Sequence, residues 1–265
     1  MGTSYLRTIF IPLIFISIII FQSLPVSAAL ITDIRFWSGP DHTRVVLDIT
    51  EPIQYESSFR EKPLQHHVEL KGAILFTKIR ELEVNDPYVA KISVTDLGKE
   101  RVKLILHQKR SLNVNIFILK PYLDKPHRLV IDLVDVAQEK KDQEERERQK
   151  EVKPKGVKTV VIDPGHGGED PGAIGTSKTM EKDIVLKVGD KLVRLFNQNK
   201  EIQAFITRKG DYFIPLEERI KMAREYGADL FISLHTDGSF NPQARGTSVY
   251  CLSLTGATDE AAKIL

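Results

Sequence analysis

Residues Gln138 to Glu151 read QEKKDQEERERQKE and contain no apolar side chain. Such a stretch has no face to bury, so no single core can run through it. The packing has to be solved separately on either side, in two units. Mixed signs and strong helix formers suit a tether with transient helicity, or else a solvated helix of one domain. Pro154 and Gly156 break the pattern before the next apolar run begins. With 265 residues, of which 42% are hydrophobic, the chain is long enough for two cores and too apolar for a disordered protein.

The N-terminus carries its own message. After Arg7, residues Thr8 to Phe21 (TIFIPLIFISIIIF) form the one long apolar run, and Val26-Ser27-Ala28-Ala29 supplies small residues suited to cleavage. Its 14 residues are fewer than the ~20 that span a bilayer as a helix. A signal peptide over 1–29 is expected, with an uncleaved anchor as the competing reading, and the remaining chain is expected to work outside the cytoplasm. One run rules out a polytopic membrane protein. The single cysteine, Cys251, rules out a disulfide framework and is expected to be a small buried residue on a strand. Charge is balanced on both sides of the tether: 16 basic and 15 acidic side chains over 29–137, 14 and 15 over 156–265. Neither half has the basic excess that phosphate contacts demand, so nucleic acid is not an expected partner.

Between residues 30 and 137 the apolar residues come in short alternating runs. They include Thr43–Ile49 (TRVVLDI), Lys91–Val94, Val102–His107 (VKLILH), Leu112–Leu119 and His127–Leu133 (HRLVIDL). Pro, Gly and Asp punctuate them, as in an all-β sandwich or small barrel. TRVVLDI and HRLVIDL echo each other near the two ends of the segment. Adjacent His66 and His67 on a strand point to opposite faces and cannot easily share a metal, and His42, His107 and His127 read as surface or packed residues.

After the tether the rhythm changes. Strands are expected at 157–163, 202–207, 229–235 and 246–252. Helices are expected at 181–199, where Ile184, Val188, Leu192 and Leu195 form one stripe, at 215–227, and from Thr258 onward. Alternating strands and helices predict an α/β domain with a mostly parallel sheet, whose functional residues gather at the carboxyl ends of strands. His166, in the turn Asp163-Pro164-Gly165-His166-Gly167-Gly168, follows the first strand. Glu181 opens the first helix, and His235 ends a central strand. Two histidines and a carboxylate from three element ends match the His₂Glu set of catalytic zinc, which leaves a fourth position for water and suits amide hydrolysis. Other readings stay open on spacing alone. The Gly-rich turn could cradle phosphate, though it lacks the Gly-Lys-Ser/Thr ending of a P-loop. Glu181 could serve a helix dipole, and His235 could simply pack.

The segments VVIDPGHGGEDPGAIG, EKDIVLKVGDKL, FITRKGDYFIPLEERIKMA and ADLFISLHTDGSFNPQARGTSVY closely resemble the zinc-dependent N-acetylmuramoyl-L-alanine amidases of bacterial cell-wall remodelling. The likeness runs from about Val157 to the chain end and implies His166, Glu181 and His235 as zinc ligands. The preceding β segment resembles the AMIN domain, which in such amidases targets the envelope and peptidoglycan. The organisation implied is a signal peptide (1–29), an AMIN-like β domain (30–137), a charged linker (138–156) and an amidase domain (157–265). The chain departs from the family at Thr236, where Ala is usual, and at Arg224, where Asn is common. The family's catalytic glutamate near its C-terminus has no counterpart up to Leu265, since Glu260 lies too early, so the amidase domain is expected to be C-terminally truncated and its turnover weak or absent.

The resemblance therefore implies periplasmic, zinc-dependent hydrolysis of the amide between the lactyl group of N-acetylmuramic acid and L-alanine, in cell-wall remodelling and daughter-cell separation. Peptidoglycan and a LytM-type activator protein are the implied partners. A non-catalytic peptidoglycan-binding or regulatory fragment, and a zinc hydrolase of another amide or ester, are the rival readings.

Overall fold

The computed structural model describes residues 28–121, 125–236, 238 and 243–251. The expected signal segment, up to Ser27, and the expected helix from Thr258 lie outside the described residues. No described helix is long and apolar enough to cross a membrane.

The first half is built from β1 (Ala29–Ser38), β2 (His42–Ile49), β3 (Gln54–Arg60), β4 (Gln65–Lys71), β5 (Ala73–Leu75), β6 (Glu81–Glu83), β7 (Val89–Gly98), β8 (Arg101–Gln108), β9 (Asn113–Leu119) and β10 (His127–Val134). They make two five-stranded sheets, ordered β5-β1-β2-β10-β9 and β3-β4-β8-β7-β6. Alternation decides which side chains meet between the sheets. Val45, Leu47 and Ile49 of β2 and Leu129, Ile131 and Leu133 of β10 join Val68, Leu70, Leu104 and Leu106 from the second sheet in one core.

The two echoing segments turn out to be neighbours. β10 runs antiparallel to β2, with Arg44 opposite Asp132 and Asp48 opposite Arg128. Val46 and Val130, between those pairs, are fully buried although alternation turns them away from the sandwich core. The outer face of this sheet is therefore covered, and the contacts across it lead to the second half. Arg44 Nη1 donates to Glu169 at 2.6 Å, and the Arg44 guanidinium lies 4.9 Å from the centre of the Phe213 ring.

The charged segment is helix α1 (Val136–Glu151), capped by Asp135, which accepts the N–H groups of Ala137 and Gln138. It has no buried residue, as its sequence requires. Charged contacts hold it instead: Arg146 donates to Glu225 at 2.6 Å, and Lys221 reaches Glu139 at 3.8 Å.

The second half is mixed α/β. Strand β11 (Lys158–Pro164) pairs parallel with β12 (Ile202–Ile206) on one side and β13 (Leu230–Leu234) on the other, with α2 (Glu181–Phe196) and α3 (Leu216–Glu225) as connections. The stripe of α2 that faces the sheet is rotated from the expected one, keeping Leu192 but not Val188 or Leu195. Val185 and Gly189 are buried and Leu192, Val193 and Phe196 pack on the strands, while Val188 and Leu195 are exposed. Gly189 sets this rotation, because a Cβ there would lie 2.9 Å from Pro164 Cγ and only glycine lets helix and strand approach so closely. A second correction concerns the expected strand at 246–252. Residues 246–251 pair with no described strand and are exposed, and Cys251 is exposed rather than buried. An apolar run becomes a strand only where a ladder partner meets it.

Candidate metal centre

The turn after β11 places His166 by a backbone that few residues tolerate. His166 itself sits at φ 61°, in the left-handed region. Gly165 and Gly172 clear the space around the ring: a Cβ at Gly165 would lie 2.3 Å from the His235 ring, and one at Gly172 2.5 Å from Glu181 Oε2. Two buried arginines fix the turn's carbonyl groups. Arg208, fully buried, donates to the carbonyls of Pro164, Gly165, Lys182 and Gly210. Arg219 donates to Asp163 at 2.9 Å and to the carbonyls of Pro164, His166 and Ile214. Asp163 in turn accepts from Thr207 at 2.6 Å and Ser233 at 3.1 Å, which joins all three strands beneath the turn.

The structure brings His166, Glu181 and His235 together, with one ligand atom from each lying within 4.8 Å of the others. His166 Nε2 is 3.2 Å from Glu181 Oε1, His235 Nδ1 is 3.1 Å from the same oxygen, and the two ring nitrogens are 3.1 Å apart. Three atoms each ~2.0–2.2 Å from one tetrahedral zinc would be about 3.3 Å from one another. The donor set therefore fits a small cation in size as well as in kind.

Fixed partners hold each group. Glu181 Oε1 accepts the N–H of Thr236 at 2.7 Å, and Oε2 that of Ala173 at 2.8 Å. Burial pushes its carboxyl pKa up, but the hydrogen bonds from His166, His235 and these two amides outweigh that and leave it well below the usual carboxylate range. Asp170 faces His166 Nδ1 at 2.7 Å and also accepts from Lys125 at 2.8 Å. The hydrogen bond to Asp170, reinforced by Glu181, raises His166 to about 9, so these two carboxylates favour a positive charge beside them. The other histidines stay apart from this cluster: His42 faces Asp41, and His67 faces Gln65.

Asp170, Arg208 and Arg219 are the residues that motif reading passed over. Asp170 could have been found as a carboxylate four residues beyond a candidate ligand histidine, the kind of outer partner that fixes an imidazole's tautomer. The arginines carried no such signal, because their partners are backbone carbonyls.

Comparison with known proteins adds an independent line. Residues 160–264 match the family described as N-acetylmuramoyl-L-alanine amidase, and residues 33–120 match the AMIN domain. The chain is 30% identical over 257 residues to the N-acetylmuramoyl-L-alanine amidase AmiC of Escherichia coli, covering 88% of this chain and 62% of that protein. It is 31% identical over 275 residues to AmiC of Neisseria meningitidis, covering 91% of this chain and 64% of the relative. Over 110 residues it is 51% identical to AmiA of Escherichia coli, covering 42% of this chain and 38% of AmiA. The chain thus spans less than two thirds of each relative's length.

Proposed function

We propose that the chain joins an AMIN domain to an N-acetylmuramoyl-L-alanine amidase domain, a reading that the matches over 33–120 and 160–264 support, and that it acts in zinc-dependent hydrolysis of the amide between the muramoyl lactyl group and L-alanine of peptidoglycan. The observation that carries this reading is the His166–Glu181–His235 cluster, with its 3.1–3.2 Å separations at the carboxyl ends of parallel strands. Residues 1–29 would direct export, so the site of action is the periplasm. The domain limits are those of the sequence reading, 30–137 and 157–265 with a linker at 138–156, and the catalytic domain is α/β with a mostly parallel sheet flanked by helices.

His166, Glu181 and His235 would hold the ion. When bound, zinc supplies a Lewis acid for the scissile carbonyl and lowers the pKa of a water to ~7. The chain's own residues prepare the site for it. Asp170 accepts the Nδ1 proton of His166 and so orients the ring with Nε2 facing the space shared with Glu181 and His235, where it would ligate the ion. The amides of Ala173 and Thr236 hold the Glu181 carboxylate in place and ionised. The proton-transferring carboxylate is the family's catalytic glutamate, as the resemblance implies, and none of the described carboxylates is assigned that role. A LytM-type protein is the proposed activator, and daughter-cell separation the proposed setting.

Two measurements test this. Purified protein should hold about one zinc per chain, and His166→Ala should lose it. With the family's catalytic glutamate present, digestion of purified peptidoglycan, supplied with the activator, should release peptides with new L-alanine N-termini and should stop on chelation, whereas residues 1–265 alone should show weak or no turnover. Failure of the folded wild-type chain to retain zinc would end the proposal.

A further inference from the structure

The echo between β2 and β10 is a local pseudo-twofold, and one of its two polar pairs is open. In the first pair, Arg44 donates to both oxygens of Asp132, at 2.7 and 2.8 Å. In the second, Asp48 lies opposite Arg128, yet Asp48 accepts from Arg35 at 2.7 Å instead. Arg128 is only 8% exposed, its Nε is buried without a partner, and among the described residues no hydrogen bond or ion pair reaches its guanidinium. A buried guanidinium without a counter-charge is costly to the fold. Such a group persists where something outside the chain completes it.

Arg128 lines a cleft of about 790 Å³ between the outer face of the first sheet and the His166 turn. Phe117, Ile174 and Phe213 give the cleft apolar walls, and His166 itself borders it. A second unspent group faces the same space. Glu169 gives Oε1 to Arg44, but its Oε2 is buried and has no partner, and no ion pair joins it to Arg128. The cleft thus offers one uncommitted donor fork and one uncommitted acceptor between apolar walls, beside the metal centre. That pattern is complementary to a short acidic peptide, which carries both a carboxylate and amide N–H groups.

We propose that this interdomain cleft is the stem-peptide subsite, in which Arg128 receives a carboxylate of the peptide and Glu169 Oε2 accepts one of its backbone N–H groups. The assignment to stem peptide rests on the amidase reading, while the two unsatisfied groups do not. It gives the AMIN domain a part in holding the substrate next to the metal-bearing turn, in addition to any role in targeting.

The probe is the free stem tetrapeptide, which keeps its carboxylates and lacks the amide to be cut. It is titrated calorimetrically into the zinc-loaded full chain. Arg128→Gln should weaken binding about tenfold or more, and Glu169→Gln should weaken it less. A carboxyl-amidated tetrapeptide should bind wild type and Arg128→Gln with the same low affinity. The melting temperature of Arg128→Gln should equal or exceed that of wild type, since no intramolecular partner is lost. Unchanged affinity in Arg128→Gln overturns the subsite, even if the same protein hydrolyses the muramoyl amide normally. A marked fall in its melting temperature also overturns it, by showing a structural role. An unrelated acidic tetrapeptide that binds as tightly as the stem peptide overturns the assignment of ligand. Arg128-dependent stem-peptide binding by a chain that hydrolyses no muramoyl amide upholds the subsite and defeats the amidase reading instead.

Discussion

Leu47, Leu104 and Ile131 are fully buried in the sandwich, among other aliphatic side chains. In the C-terminal half a fully buried position beside the turn that carries His166 belongs to Arg208, which is surrounded by carbonyl groups. The sandwich is stabilised mainly by removing apolar area from water, a non-directional effect that tolerates changes of shape. The C-terminal half spends much of its interior on directed hydrogen bonds donated by Arg208, Arg219 and Lys182 and accepted by carbonyl groups and Asp163, which hold the turn in place. Its apolar core among the described residues is small, centred on Val160, Ile162 and Ala204. One half is built to be stable and the other to hold a geometry.

The largest expected effect is on the geometric half. Arg219→Met leaves Asp163 and three carbonyls short of a buried donor and should cost about 3–5 kcal/mol. Hydrogen exchange should rise over β11 to β13 and remain unchanged in the sandwich; equal loosening of both would erase the contrast. Leu47→Ala should cost about 2–5 kcal/mol, with the exchange pattern reversed. Asp170→Asn should change stability little but weaken zinc binding about 10–100-fold, measured by chelator competition. Unaltered metal affinity would mean that Asp170 does not orient His166. At the small end, Lys71→Ala breaks the exposed pair with Glu56 and should shift stability by about 0–1 kcal/mol in denaturant titration.

What the sequence disclosed follows the same division. Strands such as 43–49, 102–107 and 127–133 were legible because period-two alternation is local, and both sides of the α/β rhythm were legible for the same reason. Residues His166, Glu181 and His235 were singled out by their place at three element ends together with the family resemblance, since spacing alone left other readings open. The stripe of α2 was misjudged because Gly189, which carries no hydrophobic signal, decides which face meets the strands. The segment at 246–251 was misjudged because strand formation depends on a partner elsewhere. Arg208 and Arg219 stayed silent because backbone carbonyls leave no mark in a sequence, and Arg128 because its significance is a missing contact.

Helix α1 has 16 residues and a rise of about 1.5 Å per residue, which makes it a rod of about 24 Å between the two halves. Rods transmit angle as well as distance. Inserting a single residue into it would turn everything downstream by about 100° about its axis, carrying Glu225 away from Arg146 and Glu169 away from Arg44. Substitutions at the exposed charges of this stretch are cheap, Arg146 apart, but changes in its length are not, and the phase of an apparently featureless spacer becomes a property that selection can see.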